Sequence, residues 1–177
     1  RNGSSNQLKL QVDLPNGGKK ELVTTTNPIV LNTWQYFSVT IDGTGGAKIF
    51  LNGNIIREDQ SSDWVPSNIV RTQNFVGKSR HDGSTSWPLF QGQMGDLSVW
   101  KVALSTSEVM TGYTTGYTGN EPNLVGLWRL GDVNTTSQGL GASSGAKAYG
   151  NFVPGSASAS TAGLPFQTPM YFDGTTN

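Results

Sequence analysis

Alternation of apolar and polar side chains is the clearest pattern near the start of the sequence. Residues 7–14, QLKLQVDL, change from polar to apolar at every step. A period of two is that of a β-strand with one buried face, so a strand is predicted here. Its apolar face carries Leu8, Leu10, Val12 and Leu14. A turn at residues 15–18 then predicts a returning strand over 21–26.

A second alternating block predicts two hairpins. Residues 34–42, WQYFSVTID, place Phe37, Val39 and Ile41 on one face of a strand. The pair Asn52-Gly53 favours a tight hairpin turn, because both central residues of a type I′ turn need positive φ. Strands are therefore predicted on both sides of that turn, over 47–51 and 55–57.

The stretch 90–113, FQGQMGDLSVWKVALSTSEVMTGY, predicts a strand, a corner and a short helix. Ser105 and Glu108 have the spacing of a capping box, in which each side chain bonds the backbone of the other. The helix is expected to end at Gly112, a favourable C-terminal stop.

The remaining segments differ in composition. Residues 74–79 and 170–173 predict short strands, and LVGLWRL at 124–130 predicts a strand that is apolar on both faces. Residues 131–168 are rich in Gly, Ser and Ala, so composition predicts a flexible linker there.

Composition narrows the range of function classes. The 177 residues include 23 glycines, and only 14 % are charged, which is typical of a turn-rich all-β domain. The net charge is zero, which argues against an electrostatic nucleic-acid partner. No apolar run is long enough to span a membrane as a helix. There is no cysteine.

The blocks at 32–58 and 90–113 together resemble laminin-G-like and pentraxin domains of bacterial multi-repeat surface proteins. The resemblance is carried by the hairpins of NTWQYFSVTIDGTGGAKIFLNGNIIRE and by the order F-x-G-x-x-D-x-x-V-W-x-x-x-L-S-x-x-E. It implies an all-β fold, a concanavalin A-like antiparallel β-sandwich (jelly roll) with one short helix.

The resemblance also implies that the chain is out of phase with a module. Such modules open with strands like those at 124–130 and 170–177 and close with an element like 90–113. Residues 1–118 are therefore interpreted as the later strands of a sandwich, and 119–177 as the opening strands and Gly/Ser-rich excursion of the same (permuted) or the next module.

Three origins of this order stay open. The chain is a fragment of a tandem array, or a permuted module that closes on itself, or a subunit whose C-terminal strands complete a neighbouring copy. Strand donation of the last kind would build a head-to-tail filament.

Calcium is the cofactor considered, because it takes oxygen ligands from loops and because the resembling families often hold it. The residues proposed for the site are Asp96, Asp132 and Asp173. The alternative is that Asp96 and Asp173 bond backbone N–H groups and stabilise loop corners. The paired-acid motif of pentraxins is not recognisable.

Aromatic and polar side chains in the two long loops between residues 60 and 88 are the candidates for a glycan site. These candidates are Trp64, His81, Asp82 and Trp87. The alternative for both tryptophans is packing beneath the loops. Tyr113 and Tyr117 form another possible pair, whereas Trp34, Trp100 and Trp128 are expected in the core.

The sequence therefore predicts a non-catalytic module, extracellular or at the cell surface, with a structural or adhesive role. Its partners would be other copies or neighbouring repeats of itself. The alternative is a carbohydrate-binding, lectin-type module. The four glutamates, Glu21, Glu58, Glu108 and Glu121, show no clustered pattern like that of a glycosidase, so an enzyme is not expected.

Overall fold

The computed structural model describes residues 6–44, 46–66, 68, 70, 74–77 and 90–129, and the backbone of 157–159 and 170–173. The chain divides into two compact units. The first contains residues 1–71 and 102–116, and the second contains 72–101 and 117–177.

In its described part, the first unit is built from antiparallel strands and one helix. Strands β1 and β2 form a two-stranded sheet, and a three-stranded sheet has the order β3-β4-β5. The elements are β1 Lys9–Asp13, β2 Lys19–Val23, β3 Phe37–Asp42, β4 Gly46–Leu51, β5 Asn54–Asp59 and the helix α1 Thr106–Thr114.

The predicted alternation in β1 is confirmed. Val12 is buried, and Leu8, Leu10 and Leu14 pack against the same core. The buried members of that core come from both sheets and from the segment after β5, and they are Val12, Leu22, Ala47, Ile49 and Trp64. The first unit thus buries the inner face of the β1–β2 hairpin beneath β4 and Trp64.

The predicted Asn52-Gly53 hairpin is also confirmed. Asn52 has φ 49° and Gly53 has φ 80°, and the strands on either side pair as β4 and β5. Gly53 is buried against helix α1, where an added Cβ would lie 2.6 Å from the sulfur of Met110. Glycine is therefore required here by both its φ and the close approach of the helix.

Strand β3 departs from the prediction in what it buries. Phe37 and Val39 lie on the apolar face but are 41 % and 47 % exposed, whereas Thr40 on the opposite face is buried. The expectation that Trp34 lies in the core is wrong, because Trp34 precedes β3 and is 43 % exposed. Strand β3 lies at the edge of its sheet, where fewer neighbours cover a side chain.

Helix α1 begins as predicted but ends later. The Ser105 side chain accepts from the Glu108 N–H at 3.3 Å, and Glu108 Oε2 accepts from the Ser105 N–H at 2.7 Å. The helix continues through Gly112, which is buried, and ends at Thr114. The glycine with positive φ beyond the end of the helix is Gly116, at φ 73°.

The second unit pairs strands that lie far apart in sequence. Its described strands are β6 Gln91–Met94, β7 Asp96–Trp100, β8 Leu124–Arg129, β9 Ala157–Ala159 and β10 Met170–Asp173. Strand β8 pairs with β7, and β10 lies between β6 and β9, with every pair antiparallel. The strands predicted at 124–130 and 170–173 are thereby confirmed.

Three details of the second unit were not expected. Strand β6 occupies a Gly-punctuated stretch that had not been interpreted as a strand, and β9 interrupts the predicted linker. The strand predicted over 74–79 is absent from 74–77, the part of that stretch that the structure describes.

Candidate functional site

Trp64 lies in the core of the first unit. It is 0 % exposed, and its Nε1–H donates to Asp59 Oδ2 at 3.0 Å. Neither face of the indole is open to a sugar, so its position matches the packing alternative. The other predicted glycan residues, His81, Asp82 and Trp87, lie outside the described residues.

A charged network adjoins Trp64 on the inner face of β2. Lys20 lies opposite Val12 and two residues before Leu22, so its side chain leaves the strand on the side that faces the core. This side chain is only 16 % exposed. Its Nζ lies 5.0 Å from the centre of the Trp64 ring, within the range of a cation–π contact.

Three oxygen groups from the end of β5 and the segment after it surround the Lys20 ammonium. Asp59 Oδ2 lies 3.6 Å from Nζ, and Ser61 Oγ and Asp63 Oδ1 are in hydrogen-bond contact with it. Asp59 also accepts from Ser61 Oγ at 2.7 Å and from the Ser61 N–H at 3.0 Å. We call Lys20, Asp59, Ser61, Asp63 and Trp64 the Lys20 network.

The hydrogen bonds of the Lys20 network lower the pKa of both its carboxyl groups. Bonds from the Ser61 hydroxyl, the Ser61 N–H and Trp64 hold the pKa of Asp59 far below its ordinary value. The bond from Lys20, followed by one from Ser61, lowers the pKa of Asp63. Both groups are therefore ionised at neutral pH.

An aromatic pair lies at the helix end of the first unit. The Tyr36 and Tyr113 rings are 6.1 Å apart at 44°, and Tyr113 is 43 % exposed. The turn residue Asn52 holds Tyr36 in place, since its N–H donates to the Tyr36 carbonyl at 2.8 Å and its Oδ1 accepts from the Tyr36 N–H at 2.9 Å. We call these two rings the tyrosine pair.

Tyr117, the other tyrosine proposed for a pair with Tyr113, packs in the second unit. Its ring meets that of Trp100 edge-on at 4.8 Å. Its carbonyl accepts from Arg129 Nη2 at 3.0 Å. Tyr117 is thus engaged in packing between β7 and the chain leading to β8.

The residues proposed for calcium are only partly described. Asp96 lies at the start of β7 and pairs with Arg129 at 3.3 Å. Desolvation raises the pKa of Asp96, and the Arg129 charge opposes the rise. Asp173 ends β10, where only its backbone is described, and Asp132 lies outside the described residues. In the described part, no three His, Asp or Glu side chains group as metal ligands.

Two of the four glutamates have structural roles. Hydrogen bonds from the Ser105 side chain and backbone lower the pKa of Glu108 in the capping box. Burial acts to raise the pKa of Glu121, but bonds from Thr118 and Gly119 outweigh it and lower that pKa. Both carboxylates therefore stabilise local backbone as hydrogen-bond acceptors.

Comparison with known proteins identifies the family. The laminin-G-type profile described as "Concanavalin A-like lectin/glucanases superfamily" matches residues 1–110. The chain belongs to this family. The predicted fold class is thereby confirmed as a concanavalin A-like, antiparallel all-β domain with a short helix. This superfamily includes both lectins and glucanases, so membership does not choose between them.

One solved structure is similar to part of this laminin-G-like chain. It is an S-layer domain-containing protein (residues 221–444) from Clostridium thermocellum ATCC 27405, with 20 % identity and a TM-score of 0.42. The match covers 61 % of this chain and 52 % of that one, so the chain spans about half the length of that structure. A search of curated proteins finds no match.

Within the described residues, no helix has the length and apolar character needed to cross a membrane.

Sequence reasoning missed most of the Lys20 network and half of the tyrosine pair. Asp59, Ser61 and Asp63 recur at every second position, a signal that was available but is common in loops. Lys20 could have been noticed as the charged member of an otherwise apolar face in β2. Tyr36 carried no signal, because its contact with Tyr113 joins residues far apart in sequence.

Proposed function

We propose that this chain is a non-catalytic extracellular module with a structural or adhesive role, a unit of a tandem-repeat surface protein or of a filament built from its own copies. The observation that carries the proposal is the pairing of β6 and β7 with strands from the C-terminal segment. Met170 lies opposite Met94, and Trp128 lies opposite Leu97.

This pairing favours assembly because the partner strands are distant in sequence. Strand β10 begins 76 residues after Met94, the end of its partner β6, and the register uses backbone hydrogen bonds that any copy of the chain can supply. The same β6 surface therefore accepts β10 from its own chain or from a neighbour. Membership of the laminin-G-like family supports the extracellular setting.

Disulfide trapping distinguishes these two sources of β10, since the natural chain has no cysteine. Chains that carry Met94→Cys are mixed with chains that carry Met170→Cys and oxidised at several concentrations. Donation between copies predicts a disulfide-linked pair containing one chain of each kind. The double variant Met94→Cys/Met170→Cys is the control, because closure within a chain yields a linked monomer.

The mixing experiment can also contradict the proposal of a filament. If only the double variant forms the bond, and the chain sediments as a monomer at every concentration, β10 closes its own module. The structural role would then rest on tandem repetition, without strand donation.

A lectin-type role is the second candidate, and the tyrosine pair favours it. An exposed tyrosine ring offers an apolar face and a hydroxyl, the combination that sugar-binding surfaces use. The carboxylates of the Lys20 network and of the capping box are weaker candidates for sugar binding, because they already form an ion pair and a backbone hydrogen bond. Calcium dependence of such binding stays part of this proposal, with Asp96, Asp132 and Asp173 as its proposed ligands.

Binding of a glycan panel, followed by tryptophan fluorescence with and without calcium, tests the lectin role. Tyr113→Ala should abolish the response if the tyrosine pair is the platform, and Tyr113→Phe should retain most of it. Loss of the response in Trp87→Ala alone would place the site in the loop predicted from the sequence. No response from any glycan would exclude the lectin role for that panel.

A further inference from the structure

We propose that Lys20 and Asp63 become joined by an amide bond between their side chains, an isopeptide cross-link from β2 to the segment after β5. This inference concerns covalent chemistry within the first unit. It stands independently of the proposed function.

The position of Lys20 is the first observation. Lysine on the core-facing side of a strand is unusual, because its ammonium must remain hydrated or be fully paired. Lys20 shares its face with Leu22, which is 3 % exposed, and its own side chain is 16 % exposed. Lys9 on the outer face is nearly as covered, at 18 %, so it is the contacts with Ser61, Asp63 and Trp64 that hold the Lys20 amine in one place.

The second observation is the electrophile. Asp63 Oδ1 contacts Lys20 Nζ, so the nitrogen and the carboxyl group it would attack are already adjacent. Holding two reactants in contact supplies a large part of the advantage of an intramolecular reaction. Asp63 is 67 % exposed, which leaves a path for a released water molecule.

Asp59 is the third component and serves as a proton relay. Its Oδ2 lies 3.6 Å from Nζ, and bonds from Ser61 and Trp64 fix its orientation. Its lowered pKa keeps Asp59 ionised and makes it a weak base, so it acts as a relay that takes up a proton and passes it on at once. Trp64 covers the amine with an aromatic face.

The reaction balances without any other reactant. Within the ion pair, one proton moves from the Lys20 ammonium to the Asp63 carboxylate, and the nitrogen electron pair of the neutral amine then attacks Cγ of the neutral carboxyl group. One C–O bond of Asp63 breaks, and that oxygen leaves as water with the proton it received from the ammonium and a second proton that Asp59 relays from the nitrogen. The products are a neutral amide and one water, and Asp59 is unchanged.

The competing state is a permanent ion pair. The contact with Lys20 that lowers the pKa of Asp63 also stabilises its carboxylate, and a carboxylate is a poorer electrophile than a protonated carboxyl group. The ion pair and the amide differ in mass by one water, so a mass measurement distinguishes them.

The consequence of the bond would be a covalent loop in a chain without cysteine. Lys20 and Asp63 are 43 residues apart, and the loop encloses β3, β4 and β5. A cross-link of this kind restricts the unfolded chain as a disulfide does, but reducing agents do not break it.

The test is the mass of the denatured full-length chain after incubation at neutral pH. The cross-linked chain should be lighter than its sequence mass by one water, and digestion should yield a branched peptide that joins Lys20 to Asp63. Lys20→Arg should have its full sequence mass, since arginine keeps the charge but is not a comparable nucleophile.

Two controls distinguish this cross-link from water loss elsewhere in the chain. Lys9→Arg, on the outer face of the same hairpin, should retain the mass deficit. Cyclisation of an aspartate at another position also removes water, but that deficit would persist in Lys20→Arg. A wild-type chain at full mass, or a deficit that Lys20→Arg retains, would overturn the proposal, and the branched peptide of the wild type decides the case if a variant misfolds.

Discussion

Two lysines on one hairpin, Lys9 and Lys20, meet carboxylates in different ways. Lys9 lies on the outer face of β1 and pairs at 2.8 Å with Glu21 of the adjacent strand, 12 residues away. Lys20 lies on the inner face of β2 and meets Asp59 and Asp63, the latter 43 residues away. The first ion pair is local to the hairpin, and the second ties the hairpin to another sheet.

This difference in partners shows which of the two ion pairs contributes to the packing of one sheet against another. The two lysine side chains are almost equally exposed, at 18 % and 16 %, so exposure alone does not distinguish the two ion pairs. A pair within one hairpin, such as Lys9–Glu21, contributes little, because salt screens it and two long side chains lose freedom. The Lys20 network combines an ion pair with the buried Trp64, so losing one member disturbs the packing of β2 against the segment after β5.

The largest expected effect is at Trp64, the apolar member of the Lys20 network. Trp64→Ala should lower the free energy of unfolding by about 3–5 kcal/mol, because it empties a fully buried site and removes the indole donor from Asp59 Oδ2, although Ser61 still donates to Oδ1. Urea unfolding measures this. Trp34→Ala is the matched control, and at 43 % exposure it should change stability by less than about 1 kcal/mol.

A smaller effect is expected at Lys20 itself. Lys20→Met keeps the length of the stem but removes the amine, and we expect a loss of stability larger than that of Lys9→Met, because the contacts of the amine with Asp59, Ser61 and Trp64 disappear. The same urea series measures it. A loss no larger than that of Lys9→Met would show that the Lys20 network behaves as an ordinary surface pair.

Acid should weaken the Lys20 network. The pKa of Asp59 is lowered on folding, so its contribution is present above the unfolded value of about 4 and is lost as pH falls further. Stability measured by urea unfolding should therefore fall from pH 5 toward about pH 2. The slope should be shallower in Asp59→Asn, and an unchanged slope would contradict the assignment.

The smallest effect is expected on the outer face. Lys9→Met should change the unfolding free energy by less than about 0.5 kcal/mol at moderate salt. The effect should shrink further as salt is raised, since Glu21 is 43 % exposed. A loss above about 1 kcal/mol would remove the contrast between the two faces of the hairpin.

The candidate sites show how far sequence reasoning reached. Trp64 was proposed for a glycan, with packing as its alternative, and the structure places it in the core. The sequence around a tryptophan in a Ser/Asp-rich loop does not show whether its side chain binds a sugar or packs in the core, because burial depends on what the loop folds against. The glycan role of His81, Asp82 and Trp87 and the calcium role of Asp96, Asp132 and Asp173 stay predictions.

The second unit also shows which features the sequence predicts and which only the structure reveals. The strands at 124–130 and 170–173 and the strand that became β7 are predicted from their apolar patterns, but β6 and the pairing of these strands with one another are not. Pairing across this distance is set by backbone hydrogen bonds, which any strand can offer. The interpretation of residues 119–177 as part of the same or the next module therefore stays a prediction.

The sequence by itself determined the local elements of this protein: the alternating strand β1, the Asn52-Gly53 turn and the Ser105–Glu108 capping box. Each depends on φ preferences, side-chain period or hydrogen bonds within a few residues. Only the tertiary structure decided that Lys20 meets Asp63, that Tyr36 meets Tyr113 and that Phe37 stays exposed. These outcomes depend on which surfaces the sheets present to each other, and no short-range pattern specifies that.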